Sequence, residues 1–330
     1  MGNDILVFAE HFRGTLNDIT YELLGKAREL ARSLGSRLVV GLLGHEVGGF
    51  VEKLGAADQI CLVDRPELKE FASDTTKAIL EAILEDVQPR LVMLGSTSIG
   101  LELLSLISAR KGFPCFDNCT RLESRDGRLV ATCQIYGGKI FAEVALPDAT
   151  TLVAVVPGSF PKEPGEVAAR PELRSIALPP VLPEARVTFR KLLEPPPGDV
   201  DITKAPILVA VGRGIQNADN LPLAEELAEA LSGVVCASRP VIDQGWLPLT
   251  RQVGKSGMTV KPKLFLAFGI SGAPEHLEGM KQSELIVAVN TDPNAPIFSI
   301  AHYGAVVDAL ELLPLLTEEV NNQATKKASL

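Results

Sequence analysis

The chain has 330 residues, 46% of them hydrophobic, and a chain of this size usually folds as two domains with a substantial core. A formal net charge of -9 and a pI near 5.1 argue against nucleic acid as a partner, because phosphate backbones require concentrated Lys and Arg. No apolar run approaches the roughly 18 to 20 residues that cross a bilayer, and the start MGNDILVFAEHFRG lacks the features of a signal peptide. These features predict a cytoplasmic protein that does not span a membrane.

The cysteines are odd in number and scattered: Cys61, Cys115, Cys119, Cys133 and Cys236. They form neither a disulfide framework nor the CxxC pairs of a zinc or redox site. The CxxxC spacing of Cys115 and Cys119 lacks a second pair of ligands. We therefore expect free thiols and no metal site.

The first half of the chain alternates short apolar strands with segments of helical periodicity, which predicts a parallel sheet covered by helices on both faces. The predicted strands are Asp4 to Ala9, Arg37 to Gly41, Gln59 to Val63 and Arg90 to Leu94. The predicted helices are Thr15 to Leu34, Thr75 to Asp86 and a third that Ser98 caps and that runs to Lys111.

From Phe113 onward the pattern becomes antiparallel. Arg128 to Tyr136 and Lys139 to Leu146 alternate apolar and polar residues, and Gly137 and Gly138 between them suit a two-residue hairpin turn. A further strand over Thr150 to Val156 closes a first domain of residues 1–156.

Residues 157–205 are rich in proline and include the runs PPVLP and EPPPG. Because proline runs favour extended backbone without ladder hydrogen bonds, this segment is predicted to be a linker. Glu184 to Leu192 is a possible isolated strand inside it.

A second α/β domain is predicted over residues 206–320, followed by a tail over 321–330. It contains a helix over Asn217 to Leu231 and a closing helix over Tyr303 to Thr317. Its strands are Ile207 to Val211, Val234 to Ala237, Leu264 to Phe268, Leu285 to Val289 and Ile297 to Ala301. This order predicts a second doubly wound sheet, in which a ligand lies beyond the carboxyl ends of the strands.

Residues suited to an anionic ligand follow these strands one after another: Gly212-Arg213-Gly214, Ser238-Arg239, Gly269 to Gly272, Asn290, and His302-Tyr303. Glycines let backbone N–H groups approach a phosphate, and a helix beginning near Pro274 adds its positive end. The Gly-Arg-Gly turn is not a nicotinamide fingerprint, because Asn217 occupies the place of the third glycine. An anionic cofactor at the strand ends is predicted.

Four segments resemble the alpha subunit of electron transfer flavoprotein: SRPVID from Ser238, QVGKSGMTVKP from Gln252, GISGAPEHLEGMK from Gly269 and NTDPNAPIFSIAHYG from Asn290. The resemblance covers the second domain and, more loosely, the order of elements in the first. It implies an FAD, a heterodimer with a beta subunit, and transfer of electrons from acyl-CoA dehydrogenases of fatty acid beta-oxidation to a membrane quinone reductase. The first domain would pack on the beta subunit.

The resemblance also implies a set of FAD-binding residues and no catalytic residue. By matching motif positions, they are Arg213, Ser238, Arg239, Val253, Gly254, Lys255, Ser256, Ser271, Gly272, Ala273, Pro274, Glu275, His276, Asn290 and Asp308.

The resemblance also implies a role for each of several residues, and each role has an alternative explanation that needs no flavin. Arg239 would lie beside the isoalloxazine and favour its reduced anion, or would only pair with Asp243 on the surface. Ser256 would bond the flavin N5 edge, or would be a turn residue. His276 would stabilise an anionic semiquinone at the pyrimidine end, or would be a partly exposed polar residue.

The remaining roles concern the rest of the dinucleotide. Ser271 with the N–H groups of Gly272 and Ala273 would bind the pyrophosphate, or would form a helix N-terminus without a ligand. Asn290 and Asp308 would contact the adenosine portion, although Asp308 also suits the solvated face of the last helix.

Four positions depart from the common family pattern: Lys255, Ser256, Glu275 and His302, where glutamine, threonine, glutamine and aspartate are usual. Three functions therefore remain open. The first is an electron carrier that forms an anionic semiquinone on partial reduction, and AMP or a second FAD is possible in the partner subunit. The second is an electron-bifurcating, NADH-oxidising flavoprotein whose beta subunit holds a second FAD, and the third is a nucleotide-binding interaction protein without redox activity.

Overall fold

The structure is a computed structural model, which describes residues 2–178, 186–191 and 200–328. Contacts within the chain divide it into two compact units, Met1–Lys191 and Leu192–Leu330. The division falls inside the segment 157–205 that the prolines predict to be a linker. Each unit is built on its own sheet.

The first unit contains a 9-stranded sheet in the order β11-β5-β4-β1-β6-β10-β7-β8-β9. Its strands from β11 to β7 pair in parallel, whereas β7, β8 and β9 pair antiparallel. The strands are β1 Ile5–Ala9, β4 Leu38–Gly44, β5 Gln59–Asp64, β6 Leu91–Gly95, β7 Cys115–Arg125, β8 Arg128–Ile135, β9 Ile140–Ala145, β10 Thr151–Val155 and β11 Glu172–Arg174; β2 His11–Phe12 and β3 Thr15–Leu16 form a separate small hairpin.

Among the described residues, the α-helices that cover this sheet are α1 Asp18–Leu34, α2 Ser73–Val87 and α3 Ser98–Lys111. Alternate residues of β1 enter different cores, because strand side chains point to opposite faces. Ile5 and Val7 pack in the cluster that includes Leu23 of α1, whereas Leu6 packs with Ile79 of α2. The predicted parallel sheet covered on both faces is confirmed.

Local differences from the prediction have physical reasons. The helix predicted from Thr15 begins at Asp18, because Thr15 pairs in the small hairpin. Helix α3 is capped by Thr97 rather than Ser98, since the Thr97 hydroxyl accepts a 3.0 Å hydrogen bond from the Gly100 N–H.

The antiparallel part of the sheet differs from the prediction, because the strand predicted over Thr150 to Val156, β10, pairs in parallel with β6 and β7, and β7 is antiparallel to β8 instead. Strand β7 was not predicted, because a register shift between Cys119 and Arg121 and a positive φ of 52° at Asn118 break its alternation. The turn between β8 and β9 spans residues 136–139 rather than two glycines.

The predicted linker is partly ordered within the first unit. Strand β11 pairs in parallel with β5, with Glu172 opposite Gln59. Arg174 then bonds Asp86 of α2 through Nε at 2.7 Å. Segments PPVLP and EPPPG lie outside the described residues, as do the ends of the possible strand Glu184 to Leu192, whose described part, residues 186–191, forms no strand. Residues 172–174 therefore belong to the sheet and not to a linker.

The second unit contains a 5-stranded sheet in the order β13-β12-β14-β15-β16, and every neighbouring pair is parallel. The strands are β12 Ile207–Val211, β13 Val234–Ala237, β14 Leu264–Phe268, β15 Leu285–Val289 and β16 Tyr303–Ala305; the helices are α4 Leu221–Ala230, α5 Arg239–Asp243, α6 Pro274–Glu278 and α7 Ala309–Ala328. Two mainly parallel α/β sheets, the first with an antiparallel extension, confirm the predicted fold class.

The strand predicted over Ile297 to Ala301 is wrong. Pro296–Ser299 is a 3₁₀ helix, because Pro296 fixes a helical φ and the Ile297 N–H bonds the Ser271 carbonyl at 3.0 Å. The edge strand is instead β16, where Tyr303 pairs with Val287.

Helix boundaries in the second unit also differ. Helix α4 begins at Leu221 rather than Asn217, after a 3₁₀ turn over Ala218–Asn220. The closing helix predicted over Tyr303 to Thr317 begins at Ala309 and continues to Ala328, so residues 321–328 are helical rather than a tail. In the part of the chain that the structure describes, no helix combines the length and apolar character that a bilayer crossing requires.

Gly100 tests the packing of α3 against β6. A Cβ added at Gly100 would lie 2.0 Å from the Gly95 carbonyl oxygen, whereas one at Gly49 has nothing within 4 Å. We expect Gly100→Ala to lower the free energy of unfolding of the first unit by about 3 kcal/mol, because backbone must move. Gly49→Ala is the matched control. Equal denaturation midpoints for the two variants, measured by circular dichroism in urea, would contradict this packing.

Candidate functional site

A cavity of about 750 Å³ lies at the carboxyl ends of the strands of the second unit. Residues that follow β12, β13, β14 and β15 line it, beginning with Arg213, Ser238, Gly269 and Asn290. The strand order places β12 next to β14, where the chain direction across the sheet reverses. That switch point is where doubly wound sheets bind ligands.

The cavity collects nearly all the residues predicted to bind FAD. Lining residues are Arg213, Ser238, Arg239, Val253, Gly254, Lys255, Ser256, Ser271, Gly272, Ala273, Glu275, His276 and Asn290. Pro274 and Asp308 do not line it. Pro274 is the first residue of α6, and the Asp308 carboxylate accepts a 2.8 Å hydrogen bond from the Leu310 N–H at the start of α7.

The predicted FAD-binding set leaves out several lining residues: Gly214, Pro240, Asp243, Gln252, Gly269 and Ile270. Gly214, Gly269 and Ile270 stand at strand ends, and the other three lie inside the segments that carry the resemblance. The signals were therefore present, but a residue within a motif does not by itself show where its side chain points.

The glycines at the switch point serve the protein's own packing. A Cβ on Gly212 would lie 2.3 Å from the Gly269 carbonyl oxygen, and one on Gly214 would lie 2.6 Å from the Gly269 Cα. Gly269 itself has a φ of +62°, and its carbonyl accepts the Gly214 N–H at 3.0 Å. Backbones from β12 and β14 therefore touch directly beneath the cavity.

A closed loop over residues 252–258 forms one wall. The Met258 N–H donates to the Gln252 carbonyl at 2.7 Å, and the Gly254 N–H donates to the Met258 carbonyl at 3.1 Å. Lys255 N–H donates to the Glu275 carbonyl of α6 at 2.7 Å. We call residues 252–258 the site loop, and its backbone is fixed to α6.

His276 is a buried imidazole on the cavity wall, with 6% of its surface exposed. Its Nδ1 lies 3.0 Å from the Val253 carbonyl oxygen, and because a carbonyl only accepts, Nδ1 carries the hydrogen. Burial lowers the pKa of His276 to about 4, against the opposing effect of that hydrogen bond. The imidazole is therefore neutral at pH 7.

The other ring nitrogen of His276 has no partner among the described residues, although it is buried. In a neutral ring with Nδ1–H, Nε2 is a hydrogen-bond acceptor. A buried polar atom left without a partner is costly, so this atom indicates a site for a ligand.

A hydroxyl with fixed polarity lies on the site loop. Gln252 is buried, and its Nε2 donates a 2.8 Å hydrogen bond to Ser256 Oγ. Ser256 is exposed toward the cavity.

The cavity carries charges of both signs. Arg213, Arg239 and Lys255 are cationic, whereas Asp243 and Glu275 are anionic. Arg239 Nε and Asp243 Oδ2 lie 3.3 Å apart with both side chains mostly exposed. The surface ion pair weighed as an alternative for Arg239 therefore exists, on the cavity wall itself.

Asn290 and Ser271 differ in how far their side-chain polar groups are already used in hydrogen bonds within the protein. The Asn290 amide donates to the Ile270 carbonyl at 2.9 Å, and its oxygen accepts the Asp292 N–H at 3.0 Å. Asn290 thus holds the strand ends together. Ser271 is exposed, and its hydroxyl makes no hydrogen bond within the described ranges.

Comparison with known families identifies the anionic ligand that suits this cavity. Residues 5–181 match the electron transfer flavoprotein domain, and residues 201–281 match the electron transfer flavoprotein FAD-binding domain. The chain belongs to the electron transfer flavoprotein family, as an alpha subunit. The predicted family is confirmed, and the predicted cofactor FAD with it.

Curated relatives match along nearly the whole chain. Electron transfer flavoprotein subunit alpha of Bacillus subtilis is 32% identical and covers 97% of this chain and 98% of its own. Lactate dehydrogenase (NAD(+),ferredoxin) subunit LctC of Acetobacterium woodii is 34% identical, covering 99% and 80%. Acryloyl-CoA reductase electron transfer subunit beta of Anaerotignum propionicum is 35% identical, covering 96% and 95%.

The cavity of this electron transfer flavoprotein fits FAD chemically. Cationic side chains of Arg213, Arg239 and Lys255 suit an anionic dinucleotide, and His276 Nε2 is a buried acceptor for a ligand N–H or O–H. No group of three or more His, Cys, Asp or Glu side chains within residues 2–178, 186–191 and 200–328 is arranged to hold a metal ion.

The low pKa of His276 predicts acid-sensitive stability without FAD. The folded pKa of about 4 lies below the ordinary 6.5, so the unfolded chain binds the extra proton and stability is lost as pH falls through this window. Between pH 7 and pH 5 this loss amounts to about 2 kcal/mol in the free energy of unfolding.

We expect the His276→Gln variant to lose this decrease in the free energy of unfolding between pH 7 and pH 5. Denaturant unfolding at the two pH values, followed by the fluorescence of Trp246, the sole tryptophan, measures it. Trp246 packs on the core of the second unit and reports its unfolding. His302→Gln, which removes the other imidazole of the described second unit and with it the acceptor of the Ile286 N–H, is the comparison variant. A wild-type pH dependence retained in His276→Gln would rule out this assignment.

Proposed function

We propose that the chain is the alpha subunit of a heterodimeric electron transfer flavoprotein, which holds FAD and carries electrons from dehydrogenases of the acyl-CoA dehydrogenase type toward a membrane quinone reductase. The carrying observation is the cavity of the FAD-binding domain, with a buried neutral His276 and three cations on its wall. FAD supplies the redox chemistry when bound. A carrier needs no acid or base beyond the groups that hold the flavin, and none is assigned.

The cationic side chains determine which charge state of the bound flavin the site stabilises. A guanidinium at a fixed position stabilises negative charge that arrives on a bound ring, and Arg is always protonated. Asp243 at 3.3 Å from Arg239 offsets part of that field and limits where the guanidinium points. The proposed role of Arg239 is to raise the flavin potential, with Asp243 moderating it.

The proposed partner is a beta subunit that packs on the first unit. Support comes from the antiparallel edge of the 9-stranded sheet, where Tyr136, Ile140 and Phe141 are 77%, 50% and 58% exposed. Ile140 and Phe141 lie on the edge strand and Tyr136 lies in the turn before it, and exposed apolar side chains at a sheet edge are typical of an interaction surface. The Anaerotignum relative is named as an electron transfer subunit, which also supports a complex with a second chain.

An electron-bifurcating, NADH-oxidising complex is the second candidate, with a second FAD in the beta subunit. It is favoured by the similarity to a subunit of an enzyme named for NAD(+) and ferredoxin, along 99% of this chain. In both candidates the alpha subunit holds FAD in the same cavity, so the two differ in the partner.

Cofactor counting separates these functions. The heterodimer, co-expressed and purified, is analysed for bound FAD and AMP and then titrated with dithionite and with NADH. We expect one FAD with AMP, no reduction by NADH, and a red one-electron-reduced spectrum during dithionite titration. Two FAD and direct reduction by NADH would select bifurcation, whereas a preparation without flavin would reject both.

Removing the Arg239 charge tests its role. We expect Arg239→Ala to lower the flavin potential by tens of millivolts, since a tenfold change in a one-electron equilibrium is about 59 mV. Asp243→Asn should shift the potential upward, because it removes the offsetting carboxylate. Potentiometric titration with stoichiometric FAD measures both shifts. The role of Arg239 is refuted if both variants keep the wild-type potential.

A further inference from the structure

Gln252 is a buried polar residue that lines the cavity without having been assigned any role. Only 3% of its surface is exposed, so its amide must form hydrogen bonds with protein groups instead of with water. Its backbone is fixed on both sides, because its N–H donates to Leu249 and its carbonyl accepts the Met258 N–H. The side chain therefore starts from a rigid position.

The site loop folds back so that Ser256 reaches this amide. Gly257 makes the fold possible, since a Cβ there would lie 2.4 Å from the Gln252 carbonyl oxygen. Gly257 N–H donates to the Gly254 carbonyl at 2.9 Å, which closes the tip of the loop. Ser256 Oγ is thereby held 2.8 Å from Gln252 Nε2.

The direction of this hydrogen bond fixes the proton of the serine. An amide NH₂ only donates, so Ser256 Oγ accepts and its own hydrogen points elsewhere. Within the described residues, no acceptor takes that hydrogen. The hydroxyl thus presents a donor to the cavity that it lines.

We propose that Gln252 is a positioning residue that sets the Ser256 hydroxyl as a hydrogen-bond donor to an acceptor atom of the bound flavin ring. The oxidised ring offers mainly acceptors along its polar edge, namely unprotonated nitrogens and carbonyl oxygens. This inference rests on the proposed function only in placing the flavin ring in this cavity.

The wall then has two complementary polar groups. His276 Nε2 is an acceptor because its Nδ1–H is committed to the Val253 carbonyl, and Ser256 is a donor because its lone pair is committed to Gln252. Both polarities are set by buried protein partners rather than by the ligand. A ligand with the opposite pattern at these two points loses both hydrogen bonds.

Gln252→Glu tests the polarity directly. A carboxylate in this place accepts, so the Ser256 hydrogen turns toward it and the cavity loses its donor, whereas a protonated carboxyl donates as the amide does. Burial raises the pKa of a carboxyl, so the change is followed from roughly pH 6 to about pH 9. We expect the Kd for oxidised FAD to rise about tenfold with pH in this variant, beyond any wild-type change.

The same substitution in a Ser256→Ala background isolates the effect. That background keeps the charged and titratable neighbours Arg239, Asp243, Lys255, Glu275 and His276, so their contributions cancel in the comparison. We expect no additional pH dependence of Kd there. An equal rise of Kd with pH in both backgrounds would mean that Gln252 acts by charge alone and would overturn the proposal.

Two further variants keep the test decisive if Gln252→Glu fails to fold. Gln252→Met removes the donor at similar volume, and we expect it to weaken FAD binding several-fold with Ser256 present and not at all in Ser256→Ala. Ser256→Thr retains a hydroxyl and should bind as the wild type does. Additive effects of Gln252→Met and Ser256→Ala would refute the positioning role.

All affinities are measured by titrating oxidised FAD into the apo heterodimer, with no electron donor present. The outcome is thus independent of which dehydrogenase or nucleotide reduces the protein. If FAD binds stoichiometrically but Ser256→Ala leaves its Kd and visible spectrum unchanged, the inference fails while FAD binding stands.

Discussion

The site depends on the attachment of the site loop, residues 252–258, to helix α6. Gly254 and Gly279 allow it, because a Cβ on Gly279 would lie 2.5 Å from the Gly254 nitrogen. The Lys255 N–H and the Val253 carbonyl then bond α6 at Glu275 and His276. Residues 20 or more positions apart in the chain thereby present their side chains to one cavity, and hydrogen bonds fix their backbone.

This attachment also decides the electrical character of the wall. His276 stays neutral because the loop buries it, and its hydrogen is committed to the loop backbone. Permanent charge comes from Arg213, Arg239 and Lys255, which are exposed at the cavity edge. Neutral, oriented dipoles inside the cavity and exposed cations at its edge can orient an uncharged ring and retain an anionic tail.

Much of this arrangement is predictable from the sequence. Short apolar runs identify the parallel strands, and the strand-end rule then brings Arg213, Ser238 and Asn290 to one edge of a sheet. The resemblance adds the site loop, which strand ends alone would not supply. Both predictions succeed because they depend on periodicity and on contiguous motifs, which survive without knowledge of tertiary contacts.

The failures arise where tertiary contacts decide. Ile297 to Ala301 has the composition of a strand, but Ile297 is buried under the glycine turn at Ser271 and the ladder resumes only at Tyr303. Strand β7 carries a register irregularity that removes its alternation. Gln252 went unassigned because its importance lies in the partner of its side chain, which neither composition nor spacing records.

The contact of Gly212 and Gly214 with Gly269 has a consequence for how glycine-rich turns are interpreted. A turn selected for close backbone packing and a turn selected for phosphate contact leave the same letters in a sequence. In this protein the first explanation accounts for Gly212 and Gly214 without a ligand. A Gly-x-Gly turn of this kind is therefore not evidence for nucleotide binding. The loop that carries Gln252 and Ser256 is a better sequence feature for finding divergent flavoproteins.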